Sequence, residues 1–126
     1  MIKLDDFTKA YIECLLFTTN EDDFPEYCYS GEFSASEEDF KRFSQIDLAS
    51  MQAECRIFQI INRSLLARAG DEEQNGRDFA YTRNGHGVGF WDRGYDKEVT
   101  QGLSDSARSF GEVYLYKKSK GKIGID

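Results

Sequence analysis

From Leu4 to Thr19, Leu4, Phe7, Tyr11, Cys14 or Leu15 and Thr18 follow helical spacing, with Asp5 and Asp6 where a helix N-terminus favours negative charge. This predicts a first helix, with Glu13 in its interior read as solvated. Ser36 followed by Glu37, Glu38 and Asp39 has the form of an N-cap with an acidic first turn, and Phe40 and Phe43 anchor a short helix there. A further start falls at Ser44 or Asp47. From there to Ala69, Leu48, Met51, Cys55, Phe58, Ile61 and Leu65 mark one helical face, widened by Ile57 and Leu66 and ended by Gly70. This long helix reads as the spine of the core. Val99, Leu103, Ala107 and Phe110 predict another helix over 97–110, and the alternation in 112–116 predicts a strand.

Between these lies Gly76–Gly94, GRDFAYTRNGHGVGFWDRG, which holds the single His, the single Trp and five of the eleven Gly. Asn84-Gly85 fits a two-residue type I′ turn, so the stretch predicts a β-hairpin preceded by a polar connection over Asp71–Asn75. That register sets Arg83 against His86, Tyr81 against Val88 and Phe79 against Phe90 on one side. Ala80, Thr82, Gly87 and Gly89 leave the other side nearly bare, either for close helix packing or for a ligand or partner surface. Arg77 and Asp92 fall opposite each other as an ion pair. The expected fold class is α+β, with a small antiparallel sheet of about three strands, including the hairpin, packed on two to three helices over a single domain, 1–126.

Composition changes this picture in two ways. The net charge of −7 is uneven: residues 1–75 hold sixteen Asp and Glu against seven Lys and Arg (−9), and residues 76–126 hold seven against nine (+2). Residues 21–40 contain eight carboxylates and no cation, interleaved with Phe24, Tyr27, Tyr29, Phe33 and Pro25, and predict no regular helix before Ser34. Such a run is a solvated loop, or a docking segment whose carboxylates Glu21, Asp22, Asp23 and Glu26 face a basic partner. Overall acidity disfavours binding to nucleic acid or anionic membranes. Lys117, Lys118, Lys120 and Lys122 read as a solubilising strand end. Cys14, Cys28 and Cys55 lack a CxxC, and no signal peptide or long apolar run is present, which points to a reducing cytoplasm and inert thiols.

The words DFAYTRNGHGVGFWDRG, Asp78 to Gly94, resemble the DFxxTRNGHGxGFWDR signature of a family of small bacteriophage and prophage proteins. Tyr11-Ile12-Glu13 with Phe17 and Glu21 resembles that family's opening helix and acidic loop, Glu54-Cys55 with Phe58 its long helix, and Gly111 to Tyr116 its closing strand. Ala80-Tyr81 and Phe17 depart from the Trp residues common there. The resemblance implies a phage accessory factor acting on host machinery in the host-cell cytoplasm, with no residue-level mechanism.

Three functions compete. The first is a non-enzymatic interaction protein that inhibits a host defence or nucleic-acid-processing complex by binding a host or phage protein. The second is a small-ligand or enzymatic site on Arg83, Asn84, His86, Trp91, Asp92 and Arg93, where His supplies acid–base chemistry and Arg clamps an anion. Direct nucleic-acid binding through Arg77, Arg83, Arg93 and the Lys-rich end is third. No ligand spacing for a metal, no cofactor motif and no catalytic set is visible.

Overall fold

The computed structural model describes residues 2–32 and 34–126; Phe33 of the acidic run lies outside the described residues. Among them, the chain is mostly helical with one small antiparallel sheet. The helices are α1 (Asp6–Thr18), α2 (Pro25–Cys28), α3 (Glu37–Phe40), α4 (Gln45–Ile61), α5 (Arg63–Leu66), α6 (Glu72–Arg83) and α7 (Lys97–Ser109). Strands β1 (Leu115–Lys117) and β2 (Ile123–Ile125) pair with Leu115 opposite Ile125, and a parallel bridge joins Phe43 to Ile123.

Where caps are written in side chains, the elements start where the sequence puts them. Asp5 accepts from the Thr8 amide at 2.8 Å, Ser36 and Asp39 form a reciprocal capping box, and Ser44 accepts from the Asp47 amide at 3.0 Å. The core is centred on α1 rather than on the long helix: Phe7, Ala10, Tyr11, Ile12, Cys14, Leu15 and Leu16 are all buried. Helix α4 buries only Leu48, Met51, Cys55 and Phe58, then breaks at Asn62, whose side chain turns back to the Phe58 carbonyl at 2.9 Å. Ile57 and Ile61, expected on its buried face, point to solvent.

The predicted hairpin is absent. Residues 72–83 are helical, and Asn84-Gly85 ends α6 instead of joining two strands. Gly85 takes φ +67°, its amide donates to the Thr82 carbonyl at 3.2 Å, and the His86 amide donates to Tyr81 at 3.1 Å. This paired bonding is the Schellman ending of a helix, with the Tyr81 and His86 rings meeting edge-on across it at 5.8 Å. Both solutions need a residue after Asn that tolerates a left-handed backbone, so the dipeptide alone does not choose between them. With the hairpin gone, the sheet has two strands rather than three, its first begins at Leu115 rather than Glu112, and residues 71–75 are the start of α6. Proline at N1 also supports one short turn, α2, before Ser34.

A small residue inside α6 explains the closeness of its crossing with α1. A Cβ on Gly76 would sit 2.2 Å from the Phe7 carbonyl oxygen, so only glycine lets the two backbones meet there. Above that crossing, Phe58 stacks on Phe79 with centroids 4.2 Å apart, flanked by Phe7, Tyr11, Phe90 and Phe110.

Candidate functional site

The Gly76–Gly94 motif folds as α6 from Gly76 onward, its glycine cap, an exposed loop and a single 3-10 turn over Phe90–Asp92. Arg83, in the last turn of α6, points inward with 4 % of its side chain exposed. Its guanidinium donates from Nε to the Gly111 carbonyl at 2.8 Å, from Nη2 to the Phe110 carbonyl at 3.0 Å, and from Nη1 to the Tyr11 hydroxyl at 2.9 Å and Glu54 Oε1 at 3.0 Å. The Phe79 and Phe110 rings lie against it at 5.5 and 5.6 Å. One cation thus ties together α1, α4, α6 and the end of α7, with its fork filled by protein acceptors. Burial pushes the Tyr11 hydroxyl well above its ordinary range, although Arg83 pulls the other way.

The neighbouring candidates are occupied in the same manner. Asn84 donates to the Val113 carbonyl at 2.9 Å and accepts from the Val113 amide at 2.8 Å, pairing with that segment as a strand would. Asp92 accepts from the Gly89 amide at 3.2 Å and closes the 3-10 turn. Arg93 makes a two-pronged contact with the fully buried Asp78, at 3.0 and 2.7 Å, the ion pair expected between Arg77 and Asp92 having moved one position along on both partners. Burial pushes the Asp78 carboxyl up, with Arg93 pulling it partly back. Trp91 is half-buried beneath the Arg108 guanidinium, 5.3 Å from the ring. His86 is half-buried against Tyr81, and Gly87 and Val88 beside it are exposed.

Of the six hairpin candidates, Arg83 and Asn84 spend their polar atoms on the protein itself, while Asp92 and Arg93, both exposed, spend part of theirs on the Gly89 amide and on Asp78. Two partners escaped the candidate set: Glu54, which faces Arg83 from α4, and Asp78, which holds Arg93. The signal for Glu54 was present in the words Glu54-Cys55 and Phe58: Tyr11 and Glu54 both bond Arg83, and Phe58 stacks on Phe79, whose ring lies against the Arg83 guanidinium. A groove of about 340 Å³ lies elsewhere, floored by Leu4, Phe40 and Leu48, and none of the candidate residues lines it.

The acidic candidates form the second region. Phe24 and Tyr27 are buried and fix α2 to the core. Asp23 accepts from Asn20 at 3.0 Å and from the Lys117 amide at 2.8 Å, so it is a tether to β1. The Tyr27 hydroxyl donates to Asp39 and accepts from Arg42 Nη1 at 3.0 Å. Glu21 accepts from the Tyr29 hydroxyl at 2.9 Å, and Glu26 reaches Arg42 at 3.5 Å. Glu21, Asp22, Glu26, Glu32, Glu37 and Glu38 are all exposed, with Tyr29 exposed among them.

Among the described residues, no group of three or more His, Cys, Asp or Glu could hold a metal ion, and no helix is long and apolar enough to cross a membrane. Cys14, Cys28 and Cys55 are free; burial pushes the Cys14 thiol up to about 12 and raises Cys55 well above its usual value. The class these features define is a helical protein with a small C-terminal sheet, whose most distinctive motif serves as a clamp. No family model, curated protein or solved structure matches the chain.

Proposed function

We propose that this chain is an accessory protein of bacteriophage type that acts by binding another protein through the acidic surface of residues 21–40. Its target on this reading is a basic surface of a host defence or nucleic-acid-processing complex. The observation that carries the proposal is the order within the acidic run: Phe24, Tyr27 and Asp23 tie it down, while six carboxylates and Tyr29 project outward. A surface held in place before binding loses little entropy on association, and its field steers a basic partner. The phage-like motif supports the choice of host machinery as the target. The alternative of a ligand or catalytic site on the Arg83–Trp91 stretch loses Arg83 and Asn84 to the fold and rests on His86, Trp91 and the exposed edges of Asp92 and Arg93.

The test is affinity purification of the tagged chain from a bacterial host, followed by mass spectrometry. The decisive variant is Glu21→Lys with Asp22→Lys, leaving Asp23 intact because it holds Lys117. An exposed reversal elsewhere, Asp105→Lys, is the control. One stoichiometric partner, kept by the control and lost by the variant and at about 0.5 M salt, is the expected result. A partner indifferent to the variant, or none, removes the acidic surface from consideration and makes His86→Ala the next variant to examine.

A further inference from the structure

Helix α4 has two faces, and only one belongs to the core. Opposite Leu48, Met51, Cys55 and Phe58 runs an exposed line of Ile46, Ser50, Ala53, Ile57 and Ile60, spaced four, three, four and three, the repeat of a helix–helix seam. Ile46 is 81 % exposed, Ile57 49 %, Ile60 64 % and Ile61 66 %. Isoleucine is among the residues most often buried, and four on one solvent face form a patch rather than scattered exceptions.

We infer that this face is where a second copy of the chain docks, with the two α4 helices packed antiparallel about a two-fold axis through Ala53. The sequence of the face is self-complementary about that point. Ile46 stands seven residues before Ala53 and Ile60 seven after, so a two-fold brings each Ile46 against the partner's Ile60. Ala49 and Ile57, four before and four after, place a large side chain over a small one at two equivalent positions. Ser50 and Arg56 pair likewise, so no like charges are forced together, and the small Ala53 allows close approach at the axis. The area is also sufficient. The four isoleucines alone expose on the order of 500 Å² per copy, and with the small residues and the rim the face is large enough for the roughly 1,000 Å² that a specific interface should clear. This inference concerns a different surface from the acidic one and stands or falls separately.

The test is the mass of the full chain in solution, by sedimentation or light scattering at about 100 µM. The expected value is twice the 14.5 kDa of one chain. Ile60→Glu and Ala53→Arg should each raise the dimer dissociation constant at least about 100-fold and yield monomer. Both positions are exposed, so circular dichroism should show unchanged helix content. Orientation is read by oxidation in a Cys28→Ser background, since the other two cysteines are buried. Ala53→Cys should cross-link to a covalent dimer and Ile46→Cys should not, whereas Ile46→Cys with Ile60→Cys should. A monomeric wild type, which would leave the face to some other protein, overturns the inference. So does a dimer indifferent to Ile60→Glu, or one that cross-links through Ile46→Cys alone.

Discussion

Arg83 brings a full positive charge into a site almost closed to water, a placement that is stable only because two carbonyls, a tyrosine hydroxyl and Glu54 surround it. Removing the cation leaves those acceptors without a donor, so Arg83→Ala should lower stability by about 3 kcal/mol or more. Arg83→Lys keeps the charge but loses the fork, and should recover less than half of that loss. Urea unfolding of both variants checks this; a shift below about 0.5 kcal/mol for the alanine variant would show that Arg83 is not an anchor. The glycines divide by the same kind of reasoning. Gly76→Ala drives a methyl into the Phe7 carbonyl and must part α1 from α6, at a cost of about 2 kcal/mol or more. Gly87→Ala meets nothing within 4 Å and should stay within about 0.5 kcal/mol of wild type. The ordering of the two thermal midpoints is the measurement. Equal midpoints would mean that the crossing of α1 and α6 is slack.

Element by element, the sequence was legible where a cap and apolar spacing coincide, as at Asp5, Ser36 and Ser44, and over 97–110 where the apolar stripe stands without a side-chain cap. It was opaque at α6 because the buried side of that helix includes Asn75, Asp78, Thr82 and Arg83, with Phe79 as its one large apolar member. A stripe of buried polar residues gives no helical periodicity, since their partners lie on other elements and far away in sequence. The start was nonetheless readable: Asp71 with Gln74 three residues on is an N-cap pattern, and Asp71 does accept from the Gln74 amide at 2.8 Å. The end carried the ambiguity of Asn-Gly, resolved in favour of the helix by the tertiary bonds of Arg83 and Asn84. Within the acidic run the sequence does not distinguish Asp23 from Glu21 or Asp22; the bond from the Lys117 amide, ninety-four residues away, does. The cap itself is testable. Gly85→Ala forces a side chain into the left-handed region and should cost about 1 kcal/mol in urea unfolding, while Gly85→Asn should cost less. An alanine variant as stable as wild type would contradict the cap.

For the whole molecule, acidity sets the pH behaviour through carboxylates that their surroundings move in opposite directions. Burial raises the carboxyls of Glu13, Glu72 and Asp78, against the Ala35 amide, the Phe7 backbone and Arg93 respectively. Burial also pushes on Asp39, but its bonds to Tyr27 and Ser36 and the charge of Arg42 outweigh it and hold that carboxyl low. The signs then differ. A carboxyl raised in the folded state takes up its proton there before the unfolded chain does, so it costs stability above its folded value and that cost is relieved as pH falls through it. A lowered carboxyl contributes stability at neutral pH and loses it only as pH drops below the ordinary carboxylate range. The net charge of −7 adds self-repulsion that also eases on acidification. The thermal midpoint should therefore rise as pH falls from 7, pass a maximum, and fall below about pH 4 as Asp39 protonates. Glu13→Gln, which keeps an acceptor for the Ala35 amide without the charge, should flatten the rising limb and leave the acid limb unchanged. Thermal unfolding of both proteins from pH 3 to 8 decides the matter: a midpoint that falls steadily from neutrality would mean that Asp39, held low, rather than the raised carboxyls of Glu13, Glu72 and Asp78, governs the acid response of this fold.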